Sequence, residues 1–346
     1  MRTSLALGAA LLSALAAACA TGGGPGPSTE RAPRRRSGGP RCLDFAGGDP
    51  GEKGWAKVDG LWVREADADA FRKGLVRCGD DLVPLDDADR IGKTPEDGYV
   101  LRTDHVLVRT DVAFRRAADL ARTTEAHVVA LLDSLGGPLD LRSPADPLPV
   151  VVAAHRRDFD ALLARKVAEP STWGAFYAAA EGTVYACDEP LGAGGLPVVA
   201  DLRHETTHAV LDLGRPARQR DRMFDRPHFW AWEGIAMWAE SLRDPPGHEA
   251  GAERLARFRR RAAWGDVVPL EEVFALPQRA FLGRHYDETA AFTRWLLAPE
   301  GGGRRDGFLR LLSRVMDGDA EAGDFERFVG WTPDEAERRW KASMGG

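Results

Sequence analysis

Val199-Ala200-Asp201-Leu202-Arg203-His204-Glu205-Thr206-Thr207-His208-Ala209-Val210-Leu211-Asp212-Leu213 runs between Pro197 and Gly214 with no helix breaker inside it. It reads as one helix, opened after a proline and closed by a glycine. Leu202, Ala209, Val210 and Leu213 supply its apolar residues. His204 and His208 stand 4 residues apart, one helical turn, so both imidazoles leave the same face and can meet one ion while Glu205 sits beside them. That arrangement suits zinc and the activation of water together.

A zinc ion that does chemistry takes three protein ligands and keeps one position open, so a third donor is required. Pro227-His228-Phe229-Trp230-Ala231-Trp232-Glu233-Gly234-Ile235-Ala236 supplies a carboxylate on a second apolar helix. It lies far enough past His208 for the chain to turn and pack antiparallel to the first helix. Glu233 in such an aromatic setting would be costly to bury without a cation or a hydrogen-bond partner, and a metal provides the cation. Glu240, on the same helical face two turns on, either orients a ligand histidine or faces solvent.

At these residues the sequence resembles the gluzincin metallopeptidases, especially bacterial peptidase MA-like domains, whose pattern is HExxH followed by a Glu within a Trp-Glu-Gly-hydrophobic-Ala segment. The likeness extends loosely from about Asp104 to the C-terminus, and His204-Glu205-Thr206-Thr207-His208 and Trp232-Glu233-Gly234-Ile235-Ala236 are its specific parts. The resemblance implies an α+β, zincin-like metallopeptidase domain and a peptide or protein substrate. It also implies one zinc ion per chain held by His204, His208 and Glu233, with Glu205 as general base. Related enzymes place a tyrosine on a later helix facing the metal, which points to Tyr286, or to His285 beside it, as a second donor to the developing oxyanion. Tyr286 reads equally well as a packed aromatic at a helix start. His228, His155 and His105 are further candidates for substrate contact, each read more simply as a surface or hydrogen-bonded histidine. The strand from Gly182 to Ala186 could offer its edge to an extended peptide, and core packing explains Val184 and Tyr185 just as well.

Two other functions stay open: a non-enzymatic binding lipoprotein that keeps the fold as a scaffold, and zinc-dependent hydrolysis of a non-protein amide. Glu205 argues against the scaffold, because a structural zinc site has no use for a base and closes with a fourth ligand.

Upstream of the first motif, Val100 to Thr110 alternates like a strand, Val112 to Leu135 is a long helical pattern ending at Gly136-Gly137-Pro138, and Leu148 to Ala153 is a short buried strand. Downstream, helical patterns dominate up to a last helix with Thr332 as N-cap and Pro333 at its first position. The order, a mixed sheet followed by helices, is an α+β pattern spanning 98–346. Ahead of it, 42–95 reads as a small β-rich accessory module. There Lys57 to Val63 is echoed by Arg77 to Val83, each copy two short strands around an Asp-Gly or Gly-Asp turn followed by an acidic stretch. Trp62 reads as a core residue of this module.

The N-terminus decides the compartment. Arg2 is followed by an apolar run from Leu5 to Ala18, too short to span a bilayer comfortably, and then by Cys19. Leu15-Ala16-Ala17-Ala18-Cys19 resembles a bacterial lipobox, so 1–19 reads as a signal peptide and Cys19 as the lipidated anchor of an exported cell-envelope protein; an ordinary secreted protein is the other reading. Residues 20–41, rich in Gly, Pro and Arg, read as a linker. Cys42, Cys78 and Cys187 then allow at most one intramolecular disulfide, and Cys42 with Cys78 is the expected pair, since both lie in the same small region of an exported chain. The 346 residues carry a net charge of only -6 with both signs scattered. No broad basic face is left to neutralise a nucleic-acid backbone.

Overall fold

The computed structural model describes residues 54–90, 98–166, 174–189, 198–215, 220–242, 252–299 and 303–344. The expected signal peptide, Cys19, the linker and Cys42 lie outside the described residues. Among the described residues no helix is long and apolar enough to cross a membrane.

The N-terminal echo folds as read. Strands β1 (Trp55–Val58) and β2 (Leu61–Arg64) form one antiparallel hairpin, followed by helix α1 (Ala68–Arg72). Strands β3 (Leu75–Cys78) and β4 (Asp81–Pro84) form a second, followed by α2 (Leu85–Asp89). Asp59 and Gly60 take positive φ at the first turn and Gly79 at the second, the conformation that tight hairpins demand. The two hairpins do not join into one sheet. Trp62 is half-buried rather than central, and its indole Nε1 donates to Asp104 Oδ1 at 2.8 Å. Phe71 meets Phe114 edge to face, with ring centroids 5.6 Å apart. Cys78 is disulfide-bonded and Cys187 is a buried free thiol, so the other end of the bond lies outside the described residues.

The larger unit is α+β. Strands β5 (Tyr99–Arg102), β6 (Val106–Thr110), β7 (Leu148–Ala153), β8 (Ala175–Ala178) and β9 (Thr183–Cys187) form a mixed five-stranded sheet in the order β5-β6-β7-β9-β8. The central pairs β6-β7 and β7-β9 are parallel and both outer pairs antiparallel. Parallel neighbours need a crossover, and α3 (Phe114–Leu139) provides the one between β6 and β7. Alternation then divides the strands between two faces. Val150, Val152, Val184 and Ala186 enter the main core under α3 and α5 (Val198–Leu213), while Phe176, Tyr185 and Cys187 meet Phe159, Leu162 and Leu163 of α4 (Arg156–Leu163) on the other face.

Two expectations are corrected here. The long helix does not stop at Gly136-Gly137-Pro138 but runs through to Leu139, with Asp140 in the left-handed conformation and Leu141 N donating to the Gly136 carbonyl. Pro138 removes the N–H that would have reached Ser134, and the Arg305 guanidinium takes that place, donating to the Ser134 carbonyl at 2.8 Å. The strand ahead of α5 is also not an edge: β9 is paired on both sides, and β8 is the edge strand beside it.

After the sheet come α6 (Phe229–Ala239), α7 (Ala252–Ala263), α8 (Leu270–Ala275), α9 (Gly283–Leu297), α10 (Arg305–Met316), α11 (Asp324–Val329) and α12 (Pro333–Met344). The last starts as read, with Glu335 N donating to Thr332 Oγ1 at 3.2 Å. Apart from Glu233, helix α6 is apolar all round, and every residue of it except half-buried Trp238 is buried. Trp230 anchors it, stacked on Phe274 at 4.8 Å with Phe292, Phe308 and Phe325 around it. Trp230→Ala should therefore cost about 3–5 kcal/mol of stability in a denaturant titration, because the rings come from four different helices and cannot all move into the space. One turn further along the same face a Cβ on Gly234 would lie 2.1 Å from Thr293 Oγ1, so glycine is what lets α9 approach α6 beside Glu233.

Candidate metal centre

Helix α5 carries His204, Glu205 and His208, and α6 carries Glu233. The two helices pack so that one nitrogen of each imidazole and one oxygen of Glu233 lie within 4.8 Å of one another, all three side chains buried. His204 Nε2 is 3.2 Å from Glu233 Oε2 and 3.1 Å from His208 Nε2, and His208 Nε2 is 3.6 Å from the same carboxylate oxygen. The same-turn reading of the histidines and the downstream carboxylate thus meet at one point. This group can hold a metal ion.

Both imidazoles are fixed by neighbours outside the group. His204 Nδ1 faces Glu240 Oε1 at 2.9 Å, and Glu240 is fully buried, so of its two readings the one that orients a histidine is the one present. That contact leaves Nε2 directed at the group. The His208 ring stacks on Trp232 at 4.7 Å, with 17° between the planes. Thr207, between the histidines, donates to the Arg203 carbonyl at 2.7 Å and meets His127 Nε2 of α3 at 2.9 Å, which ties this turn of α5 to the crossover helix.

Glu205 stands beside the group without belonging to it. Its Oε2 accepts the backbone N–H of Tyr177 in β8 at 2.8 Å, and the Tyr177 hydroxyl donates to Asp212 Oδ2 at 2.7 Å, two turns further along α5. One residue of the edge strand therefore clamps α5 at two points two turns apart. Among the described residues no hydrogen bond occupies the other Glu205 oxygen.

The charges show what the residues fit. Glu233 and Glu240 are buried carboxylates and Glu205 is half-buried, and the guanidinium that touches one of them is Arg254, on Glu240. Burial pushes the Glu205 carboxyl up. Burial also works against Glu233, but the neighbouring imidazoles of His208 and His204 overcome it and hold its pKa down at about 2. Burial disfavours a charged His204, yet hydrogen bonds to Glu233 and Glu240 lift it to about 10. Two imidazoles with a carboxylate are a donor set that zinc accepts.

The other candidates separate clearly. Tyr286 is buried on α9, its ring edge on Phe281 at 4.9 Å, and shares the α9 face of Thr289 and Thr293 that contacts Gly234. His285 caps its helix: Nδ1 accepts the Leu282 N–H at 2.8 Å, and burial together with Arg284 and Arg261 lowers its pKa to about 4. His228 is buried at the start of α6 and donates from Nε2 to the Glu321 carbonyl at 3.0 Å. His155 pairs with Glu189 on the surface and His105 with Glu125. These four are held by structural partners, as the simpler reading of His228, His155 and His105 had it. Reasoning from sequence missed the Tyr177 amide, Trp232 as a stacking plate and Arg254. Only Trp232, beside Glu233 on an aromatic helix, left a readable signal.

No protein-family model matches this chain, and no curated protein matches it.

Proposed function

We propose that this chain is a zinc-dependent peptidase of the gluzincin type on a zincin-like fold, with one zinc ion held by His204, His208 and Glu233. The observation that carries the reading is that three buried donors from two helices converge while Glu205, one residue from a donor, is held outside their set by the Tyr177 amide. A structural site would have no use for such a carboxylate.

Zinc bound there would bring the pKa of a coordinated water toward about 7 and polarise a carbonyl oxygen. The protein's own residues do the rest. Glu205 accepts a proton on its free oxygen as water adds to the amide carbon, and returns it to the leaving amine. Glu240 keeps the His204 ring in one orientation. Tyr286 is the proposed hydroxyl donor to the developing oxyanion, since α9 lies against the helix that carries Glu233. An extended peptide would pair with β8, the edge that presents the Tyr177 N–H to Glu205. We further propose export as a lipoprotein anchored to the cell envelope through Cys19.

The test is metal analysis of the purified chain combined with cleavage of a mixed peptide library. One zinc per chain and chelator-sensitive cleavage are expected. Bound zinc with no cleavage of any peptide would favour the binding-lipoprotein or non-protein-amide reading.

A further inference from the structure

We propose that Arg254 is a positioning residue for the metal centre, acting on His204 through the carboxylate of Glu240. This rests on the metal-binding reading above and extends it one layer outward. Arg254 lies on α7, and its Nη2 is 3.3 Å from Glu240 Oε1, the same oxygen that faces His204 Nδ1 at 2.9 Å. Glu240 is fully buried and Arg254 nearly so, with 13% of its side chain exposed. A guanidinium is expensive to enclose, and packing alone is no reason to keep one there.

Its surroundings supply the reason. Glu240 and Asp201 both act on Arg254 electrostatically, and Asp201 sits on α5 one turn before His204. Asp287, the third acid in its field, is gripped by Arg257 through two bonds of 2.8 and 3.1 Å. The Glu240 backbone is fixed separately, its carbonyl accepting from Arg203 Nη1 at 2.7 Å. The main chain at the end of α6 is thus tied to α5 without Arg254, and what Arg254 adds is a grip on the carboxylate itself. A carboxylate that can turn lets the imidazole behind it turn, and His204 Nε2 then leaves the point where the three donors meet.

The alternative is that Arg254 only fastens α7 to the core, and a double-mutant cycle on metal affinity tells the two apart. The full chain, Arg254→Met, Glu240→Gln and the double variant would each be titrated with zinc against a chromophoric chelator. The visible spectrum of the cobalt-loaded forms would report donor geometry, and the melting temperature of the metal-free forms would report stability. Each single change should weaken zinc binding by about 10- to 100-fold, and the double variant should lose no more than the weaker single. Arg254→Lys, which keeps a cation but loses the planar fork, should fall between Met and the parent, and replaces Met in the cycle if Met prevents folding. Zinc affinity within twofold of the parent, or losses that multiply in the double variant, would overturn the role of Arg254 alone. A parent chain that takes up no zinc would overturn the metal-site reading and this role with it.

Discussion

Replacing Glu205 by Gln should leave zinc content and melting temperature near those of the parent and lower peptide hydrolysis by about 10²- to 10⁴-fold. The separation of these effects follows from where the two carboxylate oxygens sit. Oε2 is engaged by the Tyr177 N–H, and a glutamine carbonyl can take that bond unchanged. The amide nitrogen then occupies the place of the oxygen that would accept a proton, and it can only donate. Burial already disfavours charge on this side chain, so a neutral isostere does not loosen the fold. Cleavage as fast as the parent's would remove Glu205 from the role of base, whatever the zinc content.

Removal of a donor should act on the metal first. His204→Ala or His208→Ala should abolish tightly held zinc after dialysis, and Glu233→Gln should lower both affinity and rate, because a neutral amide is a poorer ligand than a carboxylate. His204→Ala carries a second effect. It leaves Glu240, fully buried, without the imidazole that faces it, so this variant should also melt lower than His208→Ala, whose ring is backed by the Trp232 stack. One equivalent of zinc retained by either alanine variant would sink the ligand assignment. Identical melting of the two would mean that Glu240 is satisfied by Arg254 alone.

The contrast between these residues and the rest of the site shows what a sequence can disclose. His204, Glu205 and His208 were legible because a four-residue spacing has one meaning on a helix, and Glu233 because a carboxylate inside an aromatic, apolar run has to be compensated. Glu240 was half legible: the period put it on the right face but could not say what it faced. The clamp on Glu205 was not legible at all, since it comes from a backbone N–H, and every residue except proline has one. Arg254 belongs to a helix whose arginines look alike in sequence, and burial alone separates it from its exposed neighbours Arg259 and Arg260. The end of α3 was misplaced because the Ser134 carbonyl finds its donor 171 residues later. No local rule reaches that far.

The aromatic cage around Trp230 bears on when, during its own synthesis, the chain can acquire a metal. All three donors have left the ribosome once Glu233 has. The surfaces that fix α6 have not: Phe274 and Phe292 follow, then Phe308 and Phe325, and His228 waits for the Glu321 carbonyl 93 residues further on. Contacts across such separations close late, because the loop entropy has to be met before they contribute. A nascent or truncated chain ending before α10 should therefore hold zinc weakly in spite of its complete ligand set. Zinc loading would then report on the arrival of α10 and α11, because the three donors stay unfixed until the segments that enclose α6 have been made.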